Sequence, residues 1–125
     1  MTDPTSEFFG KLSRRGHEPL LAKATGSARF DLVHGKRTDR WLLTIDKGNL
    51  AVSRKNAAAG CVMRADKALF DRVVTGELNA VAAVLRGELA VEGDWRLLVL
   101  VQRLFPGPPG ARRKGRAAGY ARRQG

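Results

Sequence analysis

Apolar positions recur along this chain at two spacings, and the changes between them divide it into elements. Thr5 or Ser6 can cap a first helix that carries Phe8, Phe9 and Leu12 at helical spacing and stops at Gly16. Pro19 suits the first turn of a second short helix, with Leu20 and Leu21 turned inward. From Gly26 to about Ala65 the spacing becomes two. Ala28, Phe30 and Leu32 alternate with Arg29, Asp31 and Val33, and a polar turn from His34 to near Asp39 follows. Trp41, Leu43 and Ile45 define a second strand, and Asp46-Lys47-Gly48-Asn49 is a hairpin signal. Leu50 and Val52 define a third strand to about Arg54. Lys55 to Gly60 is long enough to cross the sheet, and Cys61, Met63 and Ala65 mark a fourth strand.

Helical spacing returns after Asp66, a cap for a helix carrying Leu69, Phe70, Val73 and Val74. The stretch from Thr75 to Arg103 is the most heavily punctuated. Asn79 caps a helix from about Ala80 to Arg86, and Gly87 suits the left-handed position past its end. Glu88 to Glu92 alternates as a fifth strand with Leu89 and Val91 on one face. Gly93 breaks it, and Asp94 caps a last helix from Trp95 to Phe105. In that helix Arg96 and Arg103 share one narrow face and nearly all the rest is apolar. Such a helix calls for cover on two sides. The second cover is either more protein, another helix or a second subunit, or an apolar ligand.

All the strands have one apolar face, so the pattern predicts one sheet with helices on one side. Pro106 to Gly110 stops the last helix. The chain divides into a folded domain, residues 1–109, and a basic tail, residues 110–125, low in apolar content and expected to be disordered.

Charge changes the picture at that tail. The net charge is +11, yet Arg112, Arg113, Lys114, Arg116, Arg122 and Arg123 all follow Pro109 with no acidic residue among them. More than half of the excess therefore lies in the tail. An anionic membrane surface is one partner for it, since each Lys or Arg near such a surface contributes about 1 kcal/mol. Nucleic acid is a weaker candidate: its phosphates would attract the same cations, but only Tyr120 could stack on a base.

The 125 residues make room for one domain with a sizeable core. The longest apolar run, Ala80 to Leu85, is far too short to span a membrane. MTDPTSEFFGK shows no secretory pattern, and the single Cys61 excludes an internal disulfide, so a cytoplasmic setting is expected. His17, His34 and Cys61 are far apart and suggest neither a metal site nor a nucleophile and base. Asp66 and Asp94 read as caps, and Glu88 and Glu92 as a solvated strand face. No catalytic residue, metal ligand or cofactor is expected.

Gly76-Glu77-Leu78 precedes a short helix containing Ala82, and Gly87-Glu88-Leu89-Ala90-Val91-Glu92-Gly93-Asp94 follows it. Together with Phe30, Trp41 and Ala65-Asp66, in this order and spacing, these residues resemble the sterol carrier protein-2 family, as a stand-alone domain of bacterial type. The likeness runs from about Gly26 to Phe105. It implies an α/β (α+β) fold: a five-stranded, mostly antiparallel sheet whose helices cover one face and enclose an apolar tunnel. It also implies non-catalytic carriage or presentation of a fatty acyl chain, sterol or similar lipid. On this likeness Phe70, Val73, Val81, Val84, Leu85, Trp95, Leu98 and Val99 become candidates to face the lipid. The alternative is a basic-tailed interaction protein for nucleic acid or acidic partners, with the apolar last helix as core or dimer contact. The peroxisomal address of some members is not expected, because the chain ends Arg123-Gln124-Gly125.

Overall fold

The computed structural model describes residues 3–106; the basic segment 110–125, with its six cations, lies outside them. Helix α1 spans Pro4–Arg15. Its cap is Asp3 rather than Thr5 or Ser6: the Asp3 carboxylate accepts the Ser6 N–H at 2.7 Å, with Pro4 at the first helical position. Thr5 is buried, and its hydroxyl donates to Asp71 at 2.6 Å. Gly16 ends the helix at φ 70, a left-handed geometry, and its N–H reaches Leu12 O. Pro19–Leu21 is one 3₁₀ turn, in which adjacent side chains point roughly a third of a turn apart. Leu21 is therefore buried while Leu20 stays 61% exposed, and only one of the expected pair turns inward.

Five strands form one sheet in the order β3-β2-β1-β4-β5. They are β1 Thr25–His34, β2 Arg37–Asp46, β3 Asn49–Ser53, β4 Cys61–Asp66 and β5 Ala90–Gly93. Only β1 and β4 run parallel. The β1–β2 ladder continues to His34↔Arg37, so the first turn is just Gly35-Lys36 and shorter than its polar run suggested. Lys47 (φ 51) and Gly48 (φ 87) make the second hairpin turn, the doubly positive geometry that matches strand twist. The parallel β1–β4 pair requires a crossover, which the segment after Ser53 supplies. It passes over the face of the sheet away from the helices, where Arg29 Nη1 donates to Ala57 O at 3.1 Å.

Residues Ala28, Phe30, Leu32, Leu43, Ile45, Cys61, Met63 and Ala65 alternate onto the inner face and are all buried. The helices lie against that face. Phe9, on α1, reaches across to stack on Trp41 at 4.6 Å and to meet Phe30 edge-on at 5.2 Å. Helix α2, Lys67–Val74, adds Phe70 beside Phe30; Asp66 stands at its N-cap position but makes no capping bond with its side chain.

Helix α3, Ala80–Leu85, is capped by Asn79, whose side chain accepts the Ala82 N–H at 3.0 Å. The N–H groups of Glu88 and Leu89 turn back to Ala83 O and close the end of α3. They are thereby lost to the sheet ladder, so β5 begins two residues later than the alternation predicted. Gly93 adopts φ +95, and a Cβ there would lie 2.3 Å from Gly60 O. That close approach sets up the Asp94 N–H bond to Gly60 O at 2.8 Å, from which the last helix starts.

Helix α4, Trp95–Val101, continues as a 3₁₀ turn, Gln102–Leu104. Leu97, Leu98, Val101 and Leu104 form its buried stripe. Trp95 and Val99 stand 50% and 46% exposed on the other side. Of the covers expected for this second side, another helix of the same chain is not found among the described residues, which leaves a second subunit or an apolar ligand. The sheet packs on one stripe through β1, β4 and β5, while Trp95 and Val99 stay about half exposed on the other.

Candidate functional site

Side chains of α1 at helical spacing, Pro4, Glu7, Phe8, Lys11, Leu12 and Arg15, form one wall of a groove of about 630 Å³. The opposite wall is Val74 and Thr75 at the end of α2 with Arg103 to Pro106 at the end of the chain's described part, and Glu18 and Leu20 close one end. The volume lies within the range of small-molecule sites. Phe8, Leu12, Leu20, Val74, Leu104 and Phe105 supply its apolar part, and Glu7, Lys11, Arg15, Glu18, Thr75 and Arg103 make the rest of the lining polar. Phe8 and Phe105 approach to 5.2 Å between ring centroids, and Phe70 sits behind Phe105 at 5.8 Å. A second cavity of about 470 Å³ shares Leu20 and Arg103 with the first and adds Pro19, Ala22, Lys23, Ala24 and Leu100.

Charge is arranged unevenly at the rim. Glu18 is buried; it accepts the Leu20 N–H at 2.9 Å and pairs with Arg15 at 2.6 Å, so both are engaged within the protein. Lys11 and Arg103 have no ion-pair partner among the described residues. Glu7, one turn before Lys11 on α1, also lines the groove and has no ion-pair partner among the described residues, so the groove combines an apolar strip with two cations and one carboxylate.

A polar clasp fixes the wall at the Pro4 end. Lys67 Nζ contacts Asp3 at 3.0 Å and Asp71 at 3.3 Å, and Asp71 also accepts from Thr5. Burial alone would lower the Lys67 pKa, but the bonds to Asp3 and Asp71 outweigh it and raise it. The Ser6 N–H bond, more than the Lys67 bond, holds Asp3 below the ordinary carboxylate range. A depressed carboxylate adds stability that is complete above its unfolded pKa and is lost as pH falls through the folded one. Asp3→Ala should therefore cost about 1 kcal/mol near neutrality, the worth of an N-cap. The gap from the parent should close in acid. Urea melts at several pH values test this, and a gap that stays constant into strong acid would count against it.

The residues expected from sequence to face a ligand fall into three groups. Phe70, Val73 and Leu98 are fully buried in the core. Val81 and Val84 are half-buried on α3, and Leu85, Trp95 and Val99 are exposed. None of them is among the walls of the two cavities. The apolar walls of the larger groove, which the spacing did not single out for a ligand, are Phe8, Leu12, Leu20, Val74, Leu104 and Phe105. Their available signal was the Phe8–Lys11–Leu12–Arg15 face of α1, an apolar and basic stripe beside the one that carries Phe9 inward. His17 bonds Asn49 at 3.0 Å, His34 ends β1, and Cys61 is buried in β4, where burial raises its thiol pKa.

The sequence pattern of the SCP-2 sterol transfer family matches residues 9–106. The chain belongs to that family. The fold agrees: sterol carrier protein-2 of Aedes aegypti, solved in complex with the C16 fatty acid palmitate, superposes with a TM-score of 0.67 at 20% identity. The match covers 85% of this chain and all of that one. The apo form of sterol carrier protein 2 from Yarrowia lipolytica gives 0.64 at 22% identity, over 83% of this chain and 91% of the other. A hydroxysteroid dehydrogenase-like protein 2 of Xenopus tropicalis is 23% identical over 106 residues, which is 83% of this chain. This SCP-2 family chain spans about a quarter, 25%, of that curated relative's length.

Proposed function

We propose that the groove between α1, the end of α2 and the end of α4 holds the acyl chain of a lipid, for carriage or presentation without chemistry. The observation that carries this reading is the apolar strip of the groove with Lys11 and Arg103 beside it, neither paired among the described residues, on a fold shared with a palmitate-bound relative. Each buried CH₂ contributes about 0.8 kcal/mol, so a long chain can be held without many polar contacts. Phe70, 5.8 Å behind Phe105, supplies the deeper wall when a chain displaces the Phe105 ring, and the groove then closes toward the tunnel that the family likeness implies. A reducing cytoplasm suits the free Cys61. The coverage of only a quarter of the Xenopus relative supports presentation beside an enzyme domain as one use of such a module.

The six cations from Arg112 to Arg123 add attraction to an anionic bilayer, where a carrier must load. The same charge favours nucleic acid as the second reading, and a shift of duplex DNA by the full chain would support it.

A fluorescent long-chain fatty acid should bind the full chain and be displaced by unlabelled fatty acid. Phe105→Asp, with circular dichroism confirming the fold, should weaken binding at least about tenfold, because the acyl chain then meets a charge. Arg103→Glu should erase the preference for a free acid over its methyl ester, a change of about tenfold for one charged hydrogen bond. A folded parent that takes up no acyl chain or sterol probe ends this reading.

A further inference from the structure

The outer stripe of α4 is the largest departure of this fold from its sequence pattern. Trp95 and Val99, one turn apart, face away from the stripe that packs on the sheet, and Leu100 borders them, partly buried against the core. The 3₁₀ turn lies alongside: Leu20, itself 61% exposed, and Lys23 line one cavity with Leu100 and Arg103. Leu100, next to Val99 in the chain, thus joins the exposed Trp95 and Val99 to the cavity edge where Leu20 and Lys23 lie.

Charge identifies what covers this surface. From Trp95 to Pro106 the chain carries Arg96 and Arg103 and no acidic residue. Arg96 is 88% exposed and is paired with Asp94 at 3.1 Å, which leaves Arg103 and Lys23 as the cations beside this surface that have no ion-pair partner among the described residues. A second copy across a two-fold axis would bring this basic surface against itself, whereas an anionic bilayer complements it. Tryptophan beside aliphatics with flanking Lys and Arg is the composition of a surface that settles at the lipid headgroup boundary.

We infer that the outer face of α4, with Leu20 and Lys23, is a docking surface for an anionic lipid bilayer, independent of the basic tail. It does not rest on occupancy of the groove. It would, however, bring the Leu20 and Arg103 edge of that groove to the membrane.

The test uses the full chain with vesicles of phosphatidylglycerol and phosphatidylcholine whose acyl chains are brominated, so that a tryptophan entering the bilayer is quenched. Quenching is expected with anionic vesicles and weaker at high salt. It should be lost in Trp95→Phe, which leaves only Trp41 as reporter. Val99→Asp, at an exposed site that should not disturb folding, and Lys23→Glu should each reduce vesicle partitioning by about tenfold. Sedimentation with vesicles but no quenching would mean that the tail alone docks, and would overturn the inference. So would a mass of two chains in sedimentation equilibrium that Val99→Asp reduces to one, because the stripe would then be a dimer contact. Failure to bind anionic vesicles at all would overturn it as well.

Discussion

Phe9→Ala is expected to remove about 3–5 kcal/mol of folding stability, the range for deleting a buried aromatic ring. Phe9 has no exposed surface. Its ring stacks on Trp41 at 4.6 Å and parallel to Phe70 at 6.1 Å, and meets Phe30 at 5.2 Å and Phe8 at 5.3 Å. These four partners lie on β2, α2, β1 and α1. The cavity left by alanine therefore cannot close by moving one side chain, since its walls are fixed by the sheet on one side and by α2 on the other. Domains of this kind have only about 5–15 kcal/mol to lose. Urea denaturation should show a lower midpoint with little change in slope. The groove should suffer as well, because Phe8, Lys11 and Leu12 reach it from the helix that Phe9 anchors. Fatty-acid affinity should fall under conditions where the variant remains folded, and Phe9→Leu should recover most of both properties. A loss below about 1 kcal/mol for the alanine variant would show that α1 is held by something other than this aromatic cluster.

Phe9 was legible because inward residues of a helix announce themselves by spacing. The strands were legible for the same reason: Ala28, Phe30 and Leu32, then Leu43 and Ile45, alternate without exception and reach the same inner face. Spacing says which residues share a face, and it is silent on how far that face is covered. Trp95 and Val99 have the same apolar character as Leu97 and Leu98, yet only the second pair meets the sheet. The groove was the hardest feature to read. Its walls join α1 to residues nearly the whole chain away, Arg103 to Pro106, and no local pattern records that meeting. The apolar spacing of α2, α3 and α4 points to a lining from those helices, and it carries no sign of a wall from α1. Polar positions mislead in the converse way. Arg29 and Asp31 alternate with core residues, as solvated positions on a strand do, yet Asp31 is only 3% exposed.

Asp31→Ala is accordingly expected to be far more damaging than a change on a solvated strand face. Arg29 grips Asp31 with both ends of its guanidinium, Nε to Oδ1 at 2.9 Å and Nη2 to Oδ2 at 3.0 Å. Its remaining Nη1 holds the crossover through Ala57 O at 3.1 Å. Arg40, directly across the β1–β2 ladder, adds Nε at 3.6 Å from Oδ1, and that Nε has no other partner among the described residues. Removing the carboxylate leaves two cations facing each other over a sheet face closed by the crossover. Breaking one partner of such a pair costs about 3–5 kcal/mol, and the partial exposure of Arg40 favours the lower end. The pair is not irreplaceable, however, because taking both charges out of water is itself costly. Asp31→Leu combined with Arg29→Met should therefore recover most of the loss, leaving Arg40 to turn toward solvent. A double-mutant cycle on urea melts measures this directly, and a coupling of about 2 kcal/mol or more is expected. Coupling under about 0.5 kcal/mol would mean that Asp31 is held by its strand neighbours rather than by Arg29. In the single Asp31→Ala variant the Ala57 bond loses its oriented donor, so amide exchange in the crossover should quicken while the β2–β3 hairpin is unchanged.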